Sequence, residues 1–154
     1  MDPISVRREK LIVVPVDVLW QIVEGASTLP SWLPLCERCE VVTGEGFGRR
    51  QRMYARWGRK SVEIDQEIVE YIPNSRLSWT HTDERIDGRP APKISTAVRL
   101  TIELHAAGAG TRVVLSSRNV PAGLVGALVL RFVAVPRIQR AFDRALENLS
   151  GCGT

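Results

Sequence analysis

The chain combines a long stretch of alternating apolar and polar positions with one segment that has a helical pattern. Between residues 40 and 117, apolar side chains recur mostly at every second position, which is typical of strands with one buried face. In the segment Pro121–Leu149 they recur at spacings of three, four and seven, which indicates a helix with one buried face. The sequence therefore predicts a set of strands followed by a long helix.

The first part of the chain predicts one strand and two short helices. Ser5–Val14 has the pattern of a strand, and Pro15 ends it. Asp17 is placed to cap a short helix. Leu29–Pro34, which contains two prolines, suits a second short helical turn. The predicted order is one strand, two short helices, six further strands and the long helix, which is an α+β architecture.

The final helix needs cover on more than one side. Between Leu124 and Val135 the one charged residue is Arg131, so this half is apolar almost all round. The cover is either the rest of the hydrophobic core or a bound apolar ligand, and the pattern leaves both open. Pro136 lies inside the pattern, where it removes a backbone donor and crowds the preceding turn, so we expect a kink near Ala134.

A two-residue turn at Gly58-Arg59 predicts the register of one hairpin. Glycine in the first position suits a type II′ turn, which pairs Trp57 with Lys60. Counting back along both strands separates the charged pairs from the apolar pairs. The predicted pairs are Arg52 with Asp65, Arg50 with Glu67, Met53 with Ile64, and Ala55 with Val62.

The same register bears on the basic residues of the chain. The net charge is +4, which permits an acidic partner such as nucleic acid or an anionic membrane surface. Six basic residues lie close together, namely Arg49, Arg50, Arg52, Arg56, Arg59 and Lys60. Glu63, Asp65 and Glu67 of the next strand are placed to pair with them, and no nucleic-acid-binding motif accompanies them. We therefore expect a solvated outer face and no nucleic-acid partner.

The cysteines give little support for a metal or redox site. Cys36 and Cys39 form a Cys-x-x-Cys pair, which suits either a redox pair or half of a zinc site. The two histidines, His81 and His105, are far from this pair and are not in paired spacing, and the chain has an odd number of cysteines. We expect no metal, no cofactor and no disulfide framework.

Polar residues on the inner faces of strands are the candidates for specific chemistry. The strand Ser61–Tyr71 carries Gln66 on its apolar face, and His81 shares a face with Trp79 on the next strand. A buried polar group without a partner costs about 1–3 kcal/mol, so Gln66 and His81 each need a protein partner, water or a ligand. The segment Asp83–Lys93, which contains a glycine and two prolines, is expected to be a loop.

Four stretches in order resemble the SRPBCC superfamily, which includes the START and Bet v 1-like domains, and especially its bacterial polyketide cyclase/dehydrase and lipid-transport group. They are Pro15-Val16-Asp17-Val18-Leu19-Trp20, Leu29-Pro30-Ser31-Trp32-Leu33-Pro34, Val69-Glu70-Tyr71-Ile72-Pro73 with Arg76-Leu77-Ser78-Trp79, and Gly110-Thr111-Arg112-Val113. The resemblance implies a helix-grip fold. A curved antiparallel sheet of about seven strands would wrap around the C-terminal helix and leave a deep apolar cavity, in a single domain over residues 1–154.

Strand alternation within that fold predicts which side chains line the cavity. The predicted ligand-binding residues are Trp32, Met53, Trp57, Ile64, Gln66, Trp79, His81, Thr96, Val98, Leu115, Leu128 and Phe132. For the apolar members, a place in the core explains the pattern better than ligand contact does. The polar members discriminate better between the two roles.

Two functions compete on this evidence. The first is binding or transport of a hydrophobic small molecule, such as a lipid, an isoprenoid or a polyketide-like aromatic. The second is a polyketide cyclase or dehydratase that folds a poly-β-keto intermediate and closes its rings by acid/base catalysis. His81 is the candidate catalytic residue because it can exchange a proton near neutral pH, with Tyr54, Tyr71 or Asp83 as candidate helpers. A lone histidine is more often a hydrogen-bonded core residue.

A surface role is a third interpretation. The apolar segment Leu124–Val135 lies beside Arg131, Arg137, Arg140 and Arg144, an arrangement that suits peripheral contact with an anionic membrane. The sequence has no apolar stretch long enough to span a membrane and no signal-peptide pattern at its start, so we expect a cytoplasmic protein.

Overall fold

A computed structural model describes residues 2–152 of the chain. The strands are β1 (Ile4–Ile12), β2 (Cys36–Thr43), β3 (Arg50–Trp57), β4 (Lys60–Ile72), β5 (Arg76–Ile86), β6 (Arg89–Pro90), β7 (Ser95–Ala107) and β8 (Gly110–Pro121). The helices are α1 (Val16–Val23), α2 (Leu29–Trp32), α3 (Leu124–Val129) and α4 (Val135–Gly151), with a π-helical turn over Leu130–Ala134.

The described strands form one antiparallel sheet. Its order is β1-β8-β7-β5-β4-β3-β2, and the two-residue β6 pairs with β5 alone. The two short helices follow β1, and the long helical segment follows β8. The predicted α+β helix-grip architecture is therefore confirmed, with one very short strand added to the predicted seven.

The predicted hairpin register is confirmed. Trp57 pairs with Lys60, and Gly58 has the positive φ of 63° that its turn position requires. On the outer face, Arg52 Nε lies 2.7 Å from Asp65 Oδ1. Although burial opposes the shift, hydrogen bonds from Arg85 and Arg52 lower the pKa of Asp65. The expectation holds for Arg50, Arg52 and Arg56, which pair with acids on a solvated face. It is wrong for Arg49, which is buried, and Arg59 and Lys60 form no ion pair among the described residues.

Three details of the sequence prediction are wrong. The segment Asp83–Lys93 is not wholly a loop, because β5 continues to Ile86 and stays paired with β4, where Arg85 Nε donates to Glu63 at 3.0 Å. β2 starts at Cys36 rather than near residue 40. Asp17 does not cap α1. It lies in the first helical turn, where its carboxylate interacts favourably with the helix dipole.

The long C-terminal helix is interrupted where Pro136 predicts it. Proline has no N–H and its ring crowds the preceding turn, so a regular α-helix cannot pass through it. The chain adopts a wider π-helical turn over Leu130–Ala134, immediately before Pro136 takes its place in the first turn of α4. The helical segment starts at Leu124 rather than Pro121, because Pro121 is the last residue of β8.

The hydrophobic core lies between the sheet and one face of α4. Its helical members are Phe142, Ala145, Leu146 and Leu149, and its sheet members include Ile68, Leu77, Ile102, Leu104 and Val113. These spacings of three and four are the ones that predicted the buried face of the helix. Within residues 2–152, no helix is both long and apolar enough to cross a membrane.

Gly126 allows α3 to approach the start of β7. A Cβ at this position would lie 2.5 Å from the carbonyl oxygen of Ile94, which is backbone and cannot rotate away. We expect Gly126→Ala to lower the free energy of unfolding by about 1–3 kcal/mol in urea denaturation, in spite of the better helix propensity of alanine. Gly151→Ala is the matched control, since its Cβ would meet no atom within 4 Å. Equal stability of the two variants would contradict the close approach.

Candidate functional site

The concave face of the sheet is covered at one end and open at the other. Toward α4 its side chains are fully buried, whereas toward the β3–β4 turn they are half-buried. The half-buried apolar residues Val62, Ile64, Ile86 and Val98 define what we call the open groove. Pairing between β5 and β7 ends at Thr80 and Arg99, so the sheet is split beside this groove. The candidate site lies where the filled core meets the open groove.

A chain of buried polar side chains runs along the concave face toward this boundary. Arg49, which is 6% exposed, donates from Nε and Nη2 to Gln51 Oε1 at 3.1 and 2.9 Å. Gln51 Nε2 then donates to Gln66 Oε1 at 2.8 Å. Because a guanidinium can only donate, the orientation of both amides is fixed by Arg49. The amide nitrogen of Gln66 is left at the end of the chain as a hydrogen-bond donor.

The other end of this polar chain is anchored on α1. Arg49 Nη1 lies 3.9 Å from Glu24 Oε2, and the Tyr71 hydroxyl donates to the same carboxylate oxygen at 3.3 Å. Burial, and then the charge of Glu24, raise the pKa of Tyr71. Tyr71, a candidate helper of His81, is therefore held by Glu24 as a protonated phenol.

His81 forms a dyad with Glu84 on the inner face of β5. Their Nδ1 and Oε1 atoms are 2.8 Å apart. The hydrogen bond from His81 lowers the pKa of Glu84, so Glu84 is an ionised acceptor and His81 Nδ1 is the donor. The His81 side chain is 13% exposed, and its Nε2 is buried without a hydrogen-bond partner among the described residues. In the neutral ring this Nε2 carries the free lone pair.

Gln66 and His81 together present a donor beside an acceptor. The two residues are directly opposite each other on β4 and β5. Gln66 Nε2, like His81 Nε2, is buried and has no partner within residues 2–152. Leaving such groups unpaired costs about 1–3 kcal/mol each, so a ligand or water that satisfies both is favoured. A carbonyl facing Gln66 and a hydroxyl or acidic C–H facing His81 would complement this pair.

Two tryptophans bring further unpaired donors to the concave face. The indole nitrogens of Trp32 and Trp79 are buried and lack partners among the described residues. Both rings border a cavity of about 10 Å³ between the sheet and α4, which Leu115 and Phe142 also line. That volume is close to what one water requires. The deep cavity that the family resemblance implies is therefore packed shut under α4, and the open space on the concave face is the groove.

A larger hollow of about 310 Å³ lies beside β2, β3 and β4, and it shares Val62 with the open groove. Glu37, Arg56 and Glu63 are among its lining residues, and Arg56 Nε donates to Glu37 at 3.1 Å. A charged and self-paired lining does not suit an apolar ligand. The size of this hollow does not make it the better candidate site.

The structure brings most of the predicted site residues together. The predicted residues on the concave face include Met53, Ile64, Gln66, Trp79, His81, Val98 and Leu115, and Trp32 covers it from α2. Trp57 lies on the same face but at the hairpin tip, where it is 48% exposed and has the guanidinium of Arg137 5.2 Å from its ring centre. Their role as ligand contacts stays a prediction.

Three predicted residues lie outside this interior. Leu128 and Phe132 are 58% and 73% exposed, because Gly126 and Leu130 occupy the buried face of the helix instead. Thr96 is exposed at a bulge of β7, where its hydroxyl donates to the Val120 carbonyl. Helical and strand periodicity predicted that these positions face inward. Periodicity does not reveal the rotation of the helix about its axis or the bulge in β7, and these two features expose the residues.

Sequence reasoning missed Glu84 and misjudged the helpers of His81. Glu84 fell inside the segment expected to be a loop, and its spacing of three residues from His81 was the available signal. Tyr54 donates to Glu40 at 2.6 Å, and Asp83 accepts from Arg85 at 2.6 Å, so both are engaged on other partners.

The Cys-x-x-Cys pair has the character of core residues. Burial raises the pKa of Cys36 to about 12 and that of Cys39 to about 11. Both thiols therefore stay protonated near neutral pH, whereas metal binding and thiol exchange need the thiolate. No group of three or more potential metal ligands occurs within the described part of the chain.

A family comparison identifies the family to which this fold belongs. The model of the family described as polyketide cyclase / dehydrase and lipid transport matches residues 3–150. The chain belongs to that family. Its members fall within the SRPBCC, or Bet v 1-like, superfamily that the sequence resembles. A comparison with curated proteins finds no match.

Solved structures of this family's fold superpose over almost the whole chain. The protein TTHA0849 from Thermus thermophilus has a TM-score of 0.75 and 23% identity, and 97% of this chain and 96% of that one are covered. The Zhui aromatase/cyclase from Streptomyces sp. R1128 has a TM-score of 0.74 and 14% identity, with coverage of 97% and 92%. Ara h 8.0201 has a TM-score of 0.71 and 18% identity, with coverage of 97% and 96%. At these identities the likeness establishes the fold alone.

The buried polar chain makes a specific prediction for stability. Gln51→Leu removes the acceptor of a buried guanidinium, so we expect the free energy of unfolding to fall by about 2–4 kcal/mol in urea denaturation. Adding Arg49→Met to this variant should restore part of the loss, because the unpaired charge is gone. Arg50→Ala on the exposed face is the control, with an expected loss within about 1 kcal/mol. A loss for Gln51→Leu as small as the control's would contradict the network.

The thiols make a second prediction. In the native protein at pH 8, Ellman's reagent should react quickly with the exposed Cys152 and, because of their raised pKa values, about a hundredfold or more slowly with Cys36 and Cys39. Cys152→Ser should remove the fast phase. Three equally fast thiols would show that the strand β2 is not packed as described.

Proposed function

We propose that the protein binds a hydrophobic small molecule that carries an oxygen group, and that the open groove is its site. Membership of the family supports hydrophobic-ligand binding or polyketide cyclisation in general. The observation that carries the proposal is the pair of buried, unpaired polar atoms on Gln66 and His81 beside half-buried apolar side chains. Such a surface suits a largely apolar ligand whose polar group is recognised at one point.

The polarity of the pair narrows the class of ligand. The hydrogen bonds from Arg49 to Gln51 and from Gln51 to Gln66 orient the Gln66 amide so that its Nε2 is the free donor. The hydrogen bond to Glu84 places the proton of neutral His81 on Nδ1, so that Nε2 is the free acceptor. A ketone with a neighbouring hydroxyl or enol, as in polyketide-like aromatics, offers the complementary acceptor and donor. A hydrocarbon chain alone would leave both protein groups unpaired, at a cost to affinity.

Native mass spectrometry of the full chain, followed by organic extraction, tests this proposal. We expect a stoichiometric apolar ligand with a carbonyl or hydroxyl group. Gln66→Leu should weaken binding of the extracted ligand about tenfold, which corresponds to one lost hydrogen bond of about 1.4 kcal/mol. Leu77→Met is the control, since it alters a buried core residue outside the predicted site at similar volume and without a polar group. Equal affinity of both variants would remove Gln66 from the site.

A second candidate function, acid/base catalysis on a keto substrate, is favoured by the His81–Glu84 dyad. His81 Nε2 would take a proton from a carbon flanked by two carbonyl groups, and the Gln66 N–H would stabilise the enolate oxygen that forms. The enolate carbon would then attack a second carbonyl carbon of the same chain. The new alkoxide would receive the proton from the imidazolium, which restores the neutral histidine. Glu84 would hold the ring and stabilise its charged form.

Replacement of each member of the dyad tests the catalytic role. With a poly-β-keto substrate, His81→Ala should lower kcat about a hundredfold or more, while ligand affinity falls about tenfold, as expected for one lost hydrogen bond. Glu84→Gln should lower kcat less than His81→Ala does, because the ring keeps Nε2 but loses the carboxylate that orients it. Unchanged turnover of His81→Ala would leave ligand binding as the function.

A further inference from the structure

One end of the molecule exposes an apolar helical face. The exposed large apolar side chains of α3 and the π-helical turn are Leu124, Val125, Leu128, Phe132 and Val133, which are 76%, 75%, 58%, 73% and 47% exposed. Gly126 and Leu130, on the opposite side of the helix, are buried, and Gly126 packs on the backbone of Ile94. The helix is therefore docked on the sheet by one face and presents a second apolar face to solvent. Contiguous exposed apolar patches of this kind mark interaction sites.

The same end carries basic side chains that lack acidic partners. They lie in the β3–β4 turn, in β6, before β7 and along the helix, and they are Arg59, Lys60, Arg89, Lys93, Arg131 and Arg137. None of them forms an ion pair within residues 2–152, in contrast to the arginines of the outer face, such as Arg52 and Arg85. Arg137 instead lies over the half-exposed ring of Trp57.

Strand topology places these residues at one end. The backbone N–H of Ser61 donates to Asp87 Oδ1, which joins the β3–β4 tip to the β5–β6 tip. β7 runs antiparallel to β5, so it starts at the end where β5 finishes, and Ser95 pairs there with Pro121. The helix α3 follows directly. We call this surface, with its apolar helical face and its unpaired basic residues, the docking end.

We propose that the docking end binds the surface of an anionic lipid bilayer. Apolar side chains would enter the boundary between headgroups and acyl chains, and the surrounding Arg and Lys would contact anionic headgroups. A second copy of the chain is a poor occupant, because it would bring like charges together. A nucleic acid would neutralise the basic residues but would leave Leu124, Val125 and Leu128 without a partner.

The proposal goes beyond ligand binding and connects with it. The open groove lies on the concave face at the docking end, between the β3–β4 tip and α3. On a bilayer the groove would therefore face the membrane, from which an apolar ligand could enter without crossing water.

Co-sedimentation of the full chain with vesicles tests the proposal. We expect binding to vesicles of phosphatidylcholine mixed with phosphatidylglycerol, weak binding to phosphatidylcholine alone, and a loss of about tenfold or more when salt is raised from low to about 1 M. Leu128→Ser with Phe132→Ser should lower the partition coefficient at least about tenfold. Arg131→Glu with Arg137→Glu should lower it similarly and remove most of the salt dependence.

Matched control variants come from the opposite end of the molecule. Leu11 is 61% exposed and Lys10 is exposed without an ion pair among the described residues, and both lie near the far end of β1. Leu11→Ser and Lys10→Glu should leave vesicle binding within about twofold of the unmodified chain. Circular dichroism and thermal midpoints check that all variants are folded, which their exposed positions favour.

Four outcomes would overturn the proposal. These are absence of vesicle binding, equal binding to both lipid compositions, equal effects of the test and control variants, or a dimer in sedimentation velocity that the test variants dissociate. Binding of an oligonucleotide that the same variants abolish, without vesicle binding, would assign the surface to nucleic acid instead. Bound ligand is measured separately by native mass spectrometry, so either proposal can fail while the other stands.

Discussion

The structure depends on one packing constraint, which is that the buried face of α4 covers half of a curved sheet. Phe142, Ala145, Leu146 and Leu149 fill the concave face at one end, down to a residual cavity of about 10 Å³. Beyond the π-helical turn, the helix turns a glycine rather than a large side chain to the sheet, and the concave side chains are half-buried. The core and the open groove therefore occupy two ends of the same concave face. The boundary between them lies where the buried side chains of α4 end.

The polar side chains at this boundary are ordered by a chain of hydrogen bonds that starts from a buried charge. Arg49 can only donate, so it fixes the orientation of the Gln51 amide and, through it, that of the Gln66 amide. Gln66 is paired in register with His81 on the next strand. From the other side, ionised Glu84 fixes the tautomer of His81. The low dielectric of the interior strengthens such a network and makes its unpaired ends costly. The ligand binding that we propose would satisfy these unpaired ends.

Charge is distributed over the surface in two ways. On the outer face, cross-strand pairs such as Arg52 with Asp65 and Arg76 with Glu103 neutralise one another. At the docking end, basic side chains surround an exposed apolar helix and have no acidic partners in the described part of the chain. The end where the groove opens therefore carries six basic side chains without ion pairs among the described residues, which favours an acidic partner there.

Local patterns in the sequence determined the element order, the hairpin register at Gly58, the buried face of α4 and the interruption of the helix before Pro136. They did not determine the buried face of α3, where Leu124 and Leu128 are exposed. Each of the features that they determined depends on residues close together in the chain. Strand alternation, turn geometry and the missing N–H of proline constrain the local backbone without any contact from distant residues. The inward position of Gln66 and His81 followed from the same alternation. The tertiary structure alone decided three features. These are the hydrogen bond between His81 and Glu84, the hydrogen-bond chain from Arg49 to Gln66, and the filling of the cavity under α4. They depend on strand pairing, on a bulge and on the rotation of a helix, which join residues distant in sequence and leave no periodic signal along the chain.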